Sequence, residues 1–128
     1  MELVKPKKIF IVEEDALFAS ELKSYLIDKS GHEVHSFNDC ADCLATMTDK
    51  PHILVLDNHL NNTQKDKATD MHLLDIIRKD YPDVHVIVLA KDEGYGTAMQ
   101  AILHGAEQYV IRDDKTMETV HTMVGELN

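Results

Sequence analysis

The sequence predicts an α/β fold, a parallel β-sheet with helices packed on both faces. Two observations carry this. Short runs rich in β-branched and aliphatic residues, KIFIV (8–12), ILVL (53–56) and VHVIVL (84–89), lack the polar face of a half-exposed strand, as strands covered on both sides require. Between them lie stretches whose apolar residues recur every three or four positions, the period of a helix. Strands that alternate with helices build a parallel sheet with right-handed crossovers. Five such alternations in 128 residues fit one domain with one core, spanning 1–128.

The elements follow in order. The first strand, 8–12, runs directly into Glu13, Glu14 and Asp15. From 16 to 28 the period changes: Phe18, Leu22, Tyr25 and Leu26 mark one helical face, and Gly31 follows, where a left-handed cap is easily adopted. Residues 33–37 read as a second, weaker strand. Asn38 or Asp39 caps a helix running to about Thr48, with Leu44 and Met47 inward, and Pro51 stops it. The third strand ends at Asp57. Residues 58–69 hold only two apolar side chains, Leu60 and Ala68, and read as a loop, long for a strand-to-helix connection. Asp70 is the expected cap of a helix carrying Leu73, Leu74, Ile76 and Ile77, which ends near Tyr81 and Pro82. After the fourth strand, residues 93–104 read as a helix with Ala98, Ala101 and Ile102 inward, ended by Gly105. Residues 109–111 form a short fifth strand. Thr116 opens a last helix with Met117, Val120 and Val124 on one face.

Composition narrows the function. Lys and Arg number 13 against 23 Asp and Glu, a formal net charge of −10. So acidic a surface repels phosphate backbones and argues against nucleic acid as a direct partner. No apolar run reaches the roughly 18 residues of a membrane span. No apolar stretch follows the N-terminal lysines as a secretion signal requires, so the cytoplasm is the expected compartment. Two cysteines are too few for a disulfide framework.

In an open parallel sheet the ligand site lies beyond the carboxyl ends of the strands. The residues there are Glu13, Glu14, Asp57, Ala90 and Arg112. Three carboxylates at contact distance repel one another, so protonation, a basic side chain or a hard cation must offset them. Oxygen ligands suit magnesium, which takes one or two protein carboxylates together with phosphate and water. Arg112 can add a fixed positive charge. An aspartate beside a divalent cation is a nucleophile toward phosphorus, forming an aspartyl phosphate.

Segments KIFIVEEDALFASELKSYL, ILVLD, VIVLA and HGAEQYVIR stand in that order between about residues 7 and 127. Together they resemble the receiver domain of two-component response regulators. The resemblance implies a flavodoxin-like (βα)5 three-layer sandwich whose parallel sheet has the order 2-1-3-4-5. It implies that Asp57 accepts a phosphoryl group from a phosphohistidine on a histidine kinase or phosphotransfer protein. It implies magnesium held by Glu14, Asp57 and the backbone carbonyl of His59, with Glu13 behind them and Arg112 as the partner of the phosphoryl charge. Tyr109 matches the aromatic that turns inward on activation. Signal output would pass to a downstream protein or domain, with a homodimer left open, and any catalysis would be confined to the domain's own phosphorylation and dephosphorylation.

The chain also departs from the family. Glu14 stands where Asp is usual, Ala90 where Thr or Ser is usual, and Arg112-Asp113 where Lys-Pro is usual. Alanine donates no hydrogen bond, and Arg differs from Lys in reach and geometry. The segment after Asp57 lacks the usual Met-Pro pair and Gly and is longer. A receiver with weak, atypical or dispensable phosphorylation is expected, with residues 58–70 mobile or in contact with a partner. The alternative is a pseudo-receiver, a protein-interaction module independent of phosphate. A small phosphatase fits less well, because His59 stands where such an enzyme would need a second Asp.

Other motifs point nowhere specific. Cys40 and Cys43 form a C-x-x-C in a polar helix with no second pair, which reads as incidental, with modest thiol reactivity near a helix start. Eight histidines show no H-E-x-x-H spacing and read as surface or half-buried; His59 alone flanks the predicted site. The run Gly94-Tyr95-Gly96 is too short for a dinucleotide fingerprint, no P-loop is present, and the acids at 13–15 would repel a flavin phosphate.

Overall fold

The computed structural model describes residues 5–91 and 94–127, so Glu93, the expected first residue of the fifth helix, lies outside the described residues. Five strands, β1 (Lys8–Val12), β2 (Glu33–Phe37), β3 (Ile53–Asp57), β4 (His85–Ala90) and β5 (Gln108–Ile111), pair in parallel in the order β2-β1-β3-β4-β5. This is the predicted flavodoxin-like sheet. Period-two alternation divides its side chains between two apolar layers. Phe10, Val12, Leu54, Leu56, Val86 and Val88 face one side, and Ile9, Ile11, Ile53, Val55, Ile87 and Leu89 face the other. Helices α1 (Ala16–Ser30) and α6 (Thr116–Glu126) cover the second layer through Leu22, Leu26, Val120 and Val124. Helices α2 (Cys40–Thr46), α3 (Asn58–Thr63), α4 (Leu73–Asp80) and α5 (Tyr95–Leu103) cover the first.

Register positions the site. Val12 pairs with Leu56, so one further step along both strands sets Glu13 level with Asp57. Asp57 in turn pairs with Leu89, and Ala90 pairs with Ile111. Asp15 turns the chain into α1, its carboxylate accepting from Phe18 N at 3.1 Å. Gly31 ends that helix at φ 65° with its N–H on Ile27 O, as expected of a glycine cap.

Several expectations are corrected. Residues 58–63 are not loop but helix α3, capped by Asp57 and anchored by buried Leu60, so six helices rather than five surround the sheet among the described residues. The rest of the segment is also structured: Lys65 bridges His72, and the Asp66 carboxylate accepts from both Thr69 N and Thr69 Oγ1 at 2.9 Å. Asp70 does not cap α4; it sits at φ 59°, and its carboxylate lies 3.9 Å from Lys65 Nζ. The N-cap is His72, and the first free N–H group satisfied by a side chain is that of Leu74, bound to Asn61 Oδ1 of α3 at 2.9 Å. Ile102 faces solvent, because α5 turns Ala101 to the core instead. Met47 is buried as expected but belongs to a short 3-10 turn, Met47–Asp49, after α2. His32 is buried, its Nδ1 accepting from Lys7 N at 3.0 Å. Among the described residues no helix is long and apolar enough to cross a membrane.

Candidate functional site

The carboxyl ends of β1, β3 and β4 open into one crevice of about 390 Å³. Glu13, Glu14 and Asp15 enter it from β1, Asp57, Asn58, His59 and Asn62 from β3 and α3, Ala90 and Lys91 from β4, and Thr97 from α5. Asp57 is 6% exposed, and its Oδ1 accepts from His59 N at 3.1 Å. One face of the carboxylate is therefore held while the rest addresses the crevice. Glu14 is exposed at the mouth, its Oε1 3.9 Å from His59 Nε2.

Glu13 is 3% exposed. Its Oε1 accepts from Arg112 Nη1 at 2.6 Å, and its Oε2 is buried with no partner. Burial, then the hydrogen bond and charge of Asp57, push its carboxyl up to about 8, against the pull of Arg112. A close guanidinium and a raised carboxyl pull in opposite directions. The upward direction prevails because burial penalises the charged form most and a second carboxylate stands beside it, which together outweigh one guanidinium. Asp15 moves the other way, held low by the N–H of Phe18.

Of the predicted residues, Glu13, Glu14, Asp57, His59 and Ala90 line the crevice together. Arg112 follows β5 as expected, yet it lines a neighbouring cavity with Asp15, Phe18 and Asp113. Its guanidinium is occupied by Glu13 and by Asp15 Oδ2 at 3.5 Å, and it lies 3.8 Å over the Phe18 ring. The His59 carbonyl accepts from Thr63 Oγ1 at 2.8 Å within α3. Ala90 is buried, and Tyr109 is half-buried against the layer that contains Phe10 and Val88. Sequence reasoning did not single out Lys91, Asn58, Asn62 or Thr97. The strand-end rule finds Lys91 when carried one residue past Ala90, but Asn62 and Thr97 reach the crevice only because α3 and α5 bring them there. The C-x-x-C, read as incidental, is buried, and burial pushes both thiols up to about 12, against the modest reactivity expected near a helix start.

Among the described residues no group of three or more His, Cys, Asp or Glu is arranged to hold a metal. Magnesium asks for less, one or two carboxylates and water. Two carboxylates that line the crevice, Asp57 and Glu14, are of the oxygen-donor type that such an ion takes.

Residues 9–123 match the family model of the response regulator receiver domain. The chain is 25% identical over 118 residues to the luminescence regulatory protein LuxO of Vibrio campbellii, covering 89% of this chain and 25% of that protein. It is 26% identical over 101 residues to the nitrogen assimilation regulatory protein NtrX of Azorhizobium caulinodans, covering 78% of this chain and 22% of that one. It thus spans about a quarter of the length of these relatives. The crystal structure of the receiver domain of NtrX from Brucella abortus superposes with a TM-score of 0.76 at 25% identity, covering 94% of this chain and 99% of that one. With its sheet order, its acidic crevice and this match over most of its length, the chain belongs to the response regulator receiver domain family, a family of signalling domains.

Proposed function

We propose that this receiver domain, spanning residues 1–128, accepts a phosphoryl group on Asp57 from the phosphohistidine of a histidine kinase or phosphotransfer protein. The observation that carries the reading is Asp57 itself: a nearly buried carboxylate at the end of β3, pinned by His59 N and opening into a crevice flanked by the β1 acids. In the transfer an Asp57 oxygen forms the new P–O bond, the P–N bond to the donor imidazole breaks, and the ring nitrogen keeps the electron pair. Such a reaction needs positioning and charge neutralisation more than acid–base machinery. Glu14 and Asp57 would hold magnesium, with the His59 carbonyl as the third protein ligand once freed from Thr63. The ion's contribution when bound is to neutralise phosphoryl oxygens. Glu13 lies behind them as an outer acid, held by Arg112. Signalling then passes to an output protein or domain by a change in the helical face that involves α5, α6 and Tyr109. The net charge of −10 supports a protein without a direct nucleic-acid partner.

A second reading has its own observation. Ala90 places no hydroxyl at the end of β4, and the His59 carbonyl is engaged inside α3. Both favour a pseudo-receiver that binds partners without phosphate. Incubation with acetyl phosphate and magnesium, read by intact mass and peptide mapping, separates the two. An adduct of one phosphoryl group on Asp57, absent from Asp57→Asn, is expected. A protein that takes up neither phosphoryl nor magnesium is the interaction module.

A further inference from the structure

We propose that Lys91, and not Arg112, is the side chain that neutralises a phosphoryl group on Asp57; this rests on the phosphorylation reading above. The argument is one of charge and position. The crevice is lined by four carboxylates, Glu13, Glu14, Asp15 and Asp57. Phosphorylating Asp57 trades its single charge for a dianion in the same place, so a cation must reach the crevice.

Arg112 is the basic residue that follows β5, but its guanidinium is already committed. It binds Glu13 Oε1, reaches Asp15 Oδ2 and stacks on Phe18, and it lines the adjoining cavity rather than this one. Turning it toward Asp57 would strip a 3% exposed Glu13 of its partner. Lys91 has no such obstacle of position. It directly follows Ala90 at the end of β4, is exposed, and is the one Lys or Arg among the described residues that line the crevice. Its strand neighbours fix where its backbone sits, because Asp57 pairs with Leu89 two residues before it. A flexible four-carbon stem with a compact ammonium suits a charge that appears only after transfer, since no fixed fork geometry has to be maintained beforehand. Ala90, which lines the same crevice, carries no hydroxyl to hold a phosphoryl oxygen there.

The test is beryllofluoride binding to the full chain in the presence of magnesium, measured by the change in amide NMR signals at low and at high salt. Lys91→Met is expected to weaken binding about tenfold at low salt and to flatten the salt dependence, while Lys91→Arg stays within about threefold of the parent. A merely structural role for Lys91 would alter stability but leave the salt dependence in place. If Lys91→Met binds as the parent does, in affinity and in salt dependence, the assignment is wrong. A parent protein that shows no beryllofluoride response, with Asp57→Asn identical to it, overturns the phosphorylation reading and this assignment together.

Discussion

Glu13 and Arg112, 99 residues apart in the chain, meet through one short contact at 2.6 Å between Oε1 and Nη1. The pair ties the end of β1 to the residue after β5, across a sheet in which those strands are not neighbours. It also decides which groups remain for the crevice. Arg112 is spent on holding a buried acid, and that acid keeps a second oxygen toward Asp57.

Breaking this pair should be costly. Arg112→Met leaves Glu13 buried without its cation, and about 2 kcal/mol of stability is expected to go. The loss is limited because Glu13, already pushed up to about 8, can take a proton. Urea unfolding at neutral pH measures it, and Arg112→Met and Glu13→Gln combined should cost less than the sum of the two single changes.

Asn61 is a cap supplied from a distance. Its Oδ1 accepts from Leu74 N at 2.9 Å, and the residue is buried between α3 and α4. Asn61→Ala removes the partner of a buried N–H and should lower stability by about 1–2 kcal/mol. An unchanged urea midpoint would show that water or another group replaces it.

Acid should act through His32. Its Nδ1 accepts from Lys7 N, so protonation there breaks that bond. Burial, followed by the charges of Lys7 and His121, lowers its pKa below the ordinary 6.5. Between the lowered folded value and 6.5 the unfolded chain binds more protons than the folded one, so stability falls as pH drops through that window. An NMR titration of the His32 ring should give a midpoint below 6.5, and His32→Phe should flatten the acid limb of the melting profile.

Both cysteines should be silent in the native protein. Cys40 and Cys43 are buried, and their thiols are pushed up to about 12, leaving almost no thiolate at neutral pH. A thiol-exchange reagent is expected to label neither within the time that labels both in denaturant. Fast labelling of Cys40, which borders a cavity of about 580 Å³ beside α2, would mean that this cavity opens.

The sequence by itself determined the order of the five strands and of every described helix but α3, the two-sided burial of the sheet, and the row of acids at the ends of β1 and β3. These are local matters: an apolar run without a polar face, a helical period and a glycine cap act over a few residues, and Asp15 and Gly31 show their effect directly. What only the tertiary structure decided is which groups face which. Segment NHLNNT became α3 because Asp57 caps it and Leu60 reaches an apolar layer built from distant strands, while its own composition favours a loop. Arg112 went to Glu13 instead of Asp57, and Lys91 and Thr97 came to the crevice, because the direction of a side chain depends on neighbours far along the chain and leaves no periodic trace in its own segment.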